Sequence, residues 1–171
     1  MESKKNMSLR HQHILRALSN LPHKMLMQHH DDRLAERVLY DLAHPDCFNF
    51  TKAAYFIENP DFNCIKGVVG FSRDDHKSQE HNHWDDPEAF HQVMNESSFH
   101  KAVRSCMGSV ERRPEQLADV LHLKNPHSYT WKTKHGNHGI LLFEHDHPAM
   151  KDEYGQELLL GVSLLGFCPT L

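Results

Sequence analysis

Apolar residues recur at helical spacing through the first third of the chain. Ile14, Leu15 and Leu18 share one face of a segment that Ser8 can cap and that runs to about Asn20, with Pro22 ending it. A second helix is expected from Asp31-Asp32, whose carboxylates suit the positive end of a helix dipole. Leu34, Val38, Leu39 and Leu42 then form one stripe at offsets 0, 4, 5 and 8, and His44-Pro45 stops it.

The pattern changes after Cys47. Thr51–Ile57 and Cys64–Phe71 are aromatic and aliphatic runs separated by Glu58-Asn59-Pro60-Asp61, which predicts a hairpin with a longer loop. Gly67 and Gly70 in the second run mark a bulge or a close backbone approach. Ser72–Trp84 is polar and reads as a loop. Helical signals return at Asp86-Pro87-Glu88, with Phe90, Val93 and Met94 as the buried side. Asn95 can recap a helix in which Phe99, Ala102, Val103, Cys106, Met107 and Val110 make the cleanest amphipathic pattern in the chain. Pro114 opens a short helix through Leu117, Val120 and Leu121. Ser128–Lys134, Gly139–His145 and Glu157–Phe167 read as a C-terminal meander, turned first at His135-Gly136-Asn137-His138.

Helix and strand blocks are thus segregated. That predicts one α+β domain, an antiparallel sheet of about five strands (hairpin plus C-terminal meander) packed with four to five helices. The 171 residues suffice for one core. The longest apolar run, Leu158–Cys168, is too short to span a membrane. The Leu158–Phe167 segment suits a buried central strand, and a strand pairing across a homodimer gives the same pattern.

Charge and composition narrow the function classes. Nineteen basic residues against 23 acidic give a formal charge of −4, with no Lys/Arg cluster longer than two. Neither a nucleic-acid backbone tracker nor a binder of anionic membranes fits; a small-molecule ligand does. The polar N-terminus lacks a secretory h-region, and Cys47, Cys64, Cys106 and Cys168 show no Cys-x-x-Cys spacing. The expectation is a cytoplasmic protein with reduced, buried thiols.

Histidine is the anomaly. Seventeen of 171 residues are histidine, so full protonation would move the charge from −4 to +13. His-x-His occurs at His11/His13, His81/His83 and His145/His147. In an extended segment residues two apart share a face, so both imidazoles reach one metal ion. The first pair falls in a helix, where such side chains diverge, and reads as structural or surface. The sharper reading has His81, His83, His145 and His147 converge on zinc or another divalent transition metal. If that centre keeps an open coordination position it activates water for hydrolysis, with Glu144 or Asp85 as proton acceptor. The plainer reading has these histidines as solvated loop residues. The protein is then a non-enzymatic binding or regulatory module with pH-dependent charge. No His-Glu-x-x-His, nucleophile elbow or phosphate loop is present in the sequence.

Overall fold

The computed structural model describes residues 2–77, 82–108, 113–146 and 153–169, with side chains from residue 9 onward. Helix α1 (Glu2–Met27) and α2 (Leu34–Ala43) lead into strands β1 (Phe50–Asn59) and β2 (Cys64–Ser72). Then come α3 (Pro87–Glu96), α4 (Ser98–Ser105), β3 (Met107–Gly108), α5 (Pro114–Val120), β4 (His127–Lys132), β5 (His138–His145) and α6 (Gly155–Gly166). The five strands form one antiparallel sheet in the order β3-β2-β1-β5-β4, the α+β class that the segregated pattern predicts. No helix is long and apolar enough to cross a membrane among the described residues.

Strand β1 is central and buried on both sides. Ala53 and Tyr55 face a core built with α1, α2, α3 and α6, through Ile14, Leu18, Leu39, Leu42, Phe90, Val162 and Leu165. Ala54 and Phe56 face a smaller core with α4 and α5, through Phe99, Val103, Leu117 and Leu121. Alternation along the strand divides the residues between the two. A register shift between Tyr55 and Phe56 leaves Val68 unpaired in β2 and brings Gly67 and Gly70 to the α4 side. Helix α4 lies directly on them: a Cβ on Gly67 would stand 1.8 Å from the Val103 carbonyl oxygen, and one on Gly70 would stand 2.6 Å from Val103 Cγ2. The close approach expected from these glycines is what they provide.

Three sequence expectations are corrected. Glu157–Phe167 is helix α6, not a strand. Leu158, Val162 and Leu165 are buried while Leu159 and Leu160 are exposed, a helical period hidden in a uniformly apolar run. The segment therefore offers no strand edge to a homodimer, and the fifth strand is β3. That strand comes from Met107–Gly108, expected inside a helix; α4 stops at Ser105 because the next residues pair with Ile65 and Lys66 at the open edge of β2. Val110 lies outside the described residues. Helix α1 runs through Pro22 to Met27. Burial of Leu21 and Met25 outweighs the roughly 3 kcal/mol that an interior proline costs.

Because backbone carbonyl is what a Gly67 side chain would strike, Gly67→Ala is expected to lower unfolding free energy by about 2–3 kcal/mol. Gly155→Ala, with open space around it, should be neutral or slightly stabilising. Urea denaturation of the two variants checks the contrast; equal stabilities would contradict the packing described.

Candidate functional site

Counting from Leu34, positions 3, 4 and 7 of α2 are Arg37, Val38 and Asp41, so two charged side chains share the apolar face. Buried carboxylates need donors. Asp41 finds three: its Oδ1 accepts from His83 Nε2 at 2.6 Å, and its Oδ2 from Trp84 Nε1 at 2.9 Å and Lys24 Nζ at 3.5 Å. Burial works to raise its pKa, but the His83 hydrogen bond and charge, with the indole N–H, outweigh this and hold the carboxyl below its ordinary value.

The segment carrying His83 is fixed locally. Asn82 Oδ1 accepts from the Trp84 backbone N–H and its amide donates to Asp85, while Gln28 donates to the Trp84 carbonyl. Asp86 caps α3 by accepting from the Ala89 N–H at 3.1 Å. The His83 ring packs against Tyr40 and Phe90, with centroids at 4.6 and 5.1 Å. Since a carboxylate only accepts, Nε2 carries the proton, and a neutral His83 presents Nδ1 as a base. Nδ1 makes no hydrogen bond among the described residues. His83 lines a cavity of about 360 Å³ with Asn82, Asp85, Asp86, Ala89, Phe90 and Val93. Among the described residues the lining holds two carboxylates, no Lys or Arg and an apolar wall, which suits a positively charged ligand with a hydrophobic body.

Two of the residues singled out from sequence, His83 and Asp85, therefore share one cavity. His81 and His147 lie outside the described residues. His145 ends β5 and stacks on His127 and Phe143, at 4.8 and 5.9 Å; Glu144 lies opposite Lys52 of β1. Among the described residues the rings in contact with His83 are Tyr40, Trp84 and Phe90. His145, at the end of β5, pairs with Phe50 of β1 and stacks on His127 of β4, while Asp41 ties His83 to α2. Glu144 is correspondingly not in the His83 cavity. Among the described residues no group of three or more His, Cys, Asp or Glu side chains is arranged to hold a metal ion. Asp41, which holds His83 here, was not singled out from sequence, although its place on the apolar stripe marked it.

A second buried carboxylate, Glu36, meets two histidines from α3 and α4. Both its oxygens lie 3.0 Å from His91 Nδ1, and Oε1 is 3.6 Å from His100 Nε2. Burial raises the Glu36 pKa, opposed by the hydrogen bond and charge of His91. His100 Nδ1 accepts from the Gly70 N–H at 3.2 Å, which sets its tautomer. Burial, with the Arg104 charge, pushes the His100 pKa down to about 4.

Compared with known proteins, the chain matches no family model, no curated protein and no solved structure.

The depressed His100 pKa has a thermodynamic consequence. Its folded value of about 4 lies below the unfolded 6.5, so the unfolded chain binds the proton first as pH falls. The stabilisation is full above pH 6.5 and lost on descending to about pH 4, amounting to about 3 kcal/mol. Asp41, also depressed, extends the loss at still lower pH. Denaturant titrations between pH 7 and pH 4 should show this slope, and His100→Asn, which keeps an acceptor for Gly70, should flatten it. An unchanged slope in the variant would refute the assignment.

Proposed function

We propose that the protein is a hydrolase of small cationic substrates, with His83 as general base and the cavity between residues 82–86 and α3 as its substrate site. The observation that carries this is the 2.6 Å hydrogen bond from His83 Nε2 to a buried carboxylate, itself held by an indole N–H. In this reading a water molecule at Nδ1 gives its proton to the imidazole as it attacks an ester or amide carbonyl; the tetrahedral intermediate then breaks its bond to the alcohol or amine, which leaves with the proton returned from Nδ1. Asp41 keeps the ring in the productive tautomer and stabilises the imidazolium that forms. Asp85 and Asp86 attract the positive charge of the substrate, and Phe90 and Val93 cover its apolar part.

The metal reading rests on the same bond, because carboxylate-backed imidazoles are also how proteins orient metal ligands. With Nε2 committed to Asp41, Nδ1 is the nitrogen left for zinc or another divalent ion, with Asp85 and Asp86 as carboxylates in the cavity wall. The cytoplasm belongs to the proposal as well, on the four cysteines being thiols.

A panel of small cationic esters and amides should contain at least one that is turned over. His83→Ala and Asp41→Asn are expected to lower kcat/KM about 100-fold or more, with circular dichroism unchanged. Metal content measured on untagged protein separates the two versions. About one equivalent of zinc lost in both His83→Ala and His145→Ala would support the four-histidine centre, whereas general-base catalysis needs no such change. No turnover, with no shift in melting temperature on adding the same amines, would leave the binding-module reading and sink the hydrolase.

A further inference from the structure

A second cleft, of about 240 Å³, opens where the β4–β5 turn meets the last turn of α6 and the far end of β1; it shares no residue with the His83 cavity. Its chemistry is the reverse. Lys134 and His135 line it, and among the described residues no Asp or Glu does. The Lys134 ammonium lies over the Phe167 ring at 5.1 Å and makes no ion pair among the described residues.

Two donors buried beside this cleft have no acceptor among the described residues. Tyr55, in its inner wall, is 0% exposed and its hydroxyl has no hydrogen-bond partner. Trp131 stacks on Tyr55 with centroids 5.6 Å apart, and its Nε1–H is likewise buried and unpartnered. That indole nitrogen lies against Gly166, another lining residue, where a Cβ would come within 3.1 Å of it. Native interiors rarely leave such donors unmet, since each costs what desolvation took from it. Among the described residues no carboxylate lines the cleft to compete for them. The Leu164 and Leu165 carbonyls at the end of α6 accept from the Phe167 and Cys168 N–H groups. The Cys168 thiol donates to Leu164, and burial pushes its pKa up to about 12, so it stays uncharged.

We propose that this cleft binds a small carboxylate with an apolar or aromatic body. The carboxylate accepts from Tyr55 Oη and Trp131 Nε1 and neutralises Lys134, while Phe167 and Ile57 cover the body. A charge-assisted hydrogen bond to each orphaned donor is stronger than a neutral one, and the partly enclosed wall lowers the screening of the lysine.

Benzoate is the probe, titrated into the full chain and followed by the indole N–H resonance of Trp131, assigned with Trp131→Phe. A saturable downfield shift in the millimolar range is expected, with benzyl alcohol giving none. Lys134→Ala and Tyr55→Phe should each weaken binding about tenfold. Without benzoate, Tyr55→Phe should melt at or above the wild-type temperature, because it removes an unsatisfied hydroxyl and nothing else; this also shows that the variant folds. Failure of Trp131 to respond, equal benzoate affinity in wild type and both variants, or inorganic phosphate binding where benzoate does not would each overturn the assignment. Loss of hydrolysis in His83 variants would not touch it, so the two sites stand or fall separately.

Discussion

Helix α2 brings three charged side chains inward, and the placement of the 82–100 segment follows from their need for partners. Glu36 and Arg37 are 5% and 0% exposed, and Asp41 is mostly enclosed. Left unpaired, each would cost several kcal/mol. Asp41 takes His83 and Trp84, Glu36 takes His91 and stands near His100, and Arg37 takes Asp31 and lies over the Trp84 ring at 5.5 Å. The partners of Asp41 and Glu36 begin before α3 and end within α4. Pairing these two carboxylates therefore ties two further helices and the loop ahead of them to α2.

The histidines, which looked like one phenomenon, perform several. His11 on α1 meets Glu157 of α6 at 3.1 Å; His83, His91 and His100 answer carboxylates of α2. His76 and His127 act mainly as flat rings, stacked on Phe71 and Phe143. An imidazole supplies an aromatic face and two polar nitrogens, so it can join a core on one side and finish a hydrogen bond on the other. The cost is acid sensitivity, because rings buried neutral resist protonation.

The two clefts contrast in charge for a similar structural reason. Each sits where an element ends: one at the start of α3, where Asp86 caps exposed N–H groups, the other where α6 finishes beside a hairpin turn. The first collects carboxylates because helix starts favour them, and the second is left with a lysine and two unmet donors. The glycine-permitted seat of α4 on β2 covers one face of the sheet.

Local periodicity and punctuation in the sequence determined much of this. The stripe of α2, the hairpin at Asn59-Pro60-Asp61, the proline starts of α3 and α5, and the β4–β5 turn all rest on contacts between near neighbours. His83 and Asp85 were legible as candidates because polar residues before a helix cap gather in one loop. What only the tertiary structure decided was everything settled by a distant surface. Leu158–Phe167 carries no period strong enough to choose between strand and helix until Leu42 and Phe48 pack against Gly161. Pro22 stays helical because Leu21 is buried beneath it, and Met107–Gly108 pair as strand because β2 has an open edge. Asp41 becomes a site residue only when a segment forty residues away delivers His83 to it. Spacing along a chain records which side chains share a face; it does not record what covers that face, and burial is the quantity that turns a charge into a constraint.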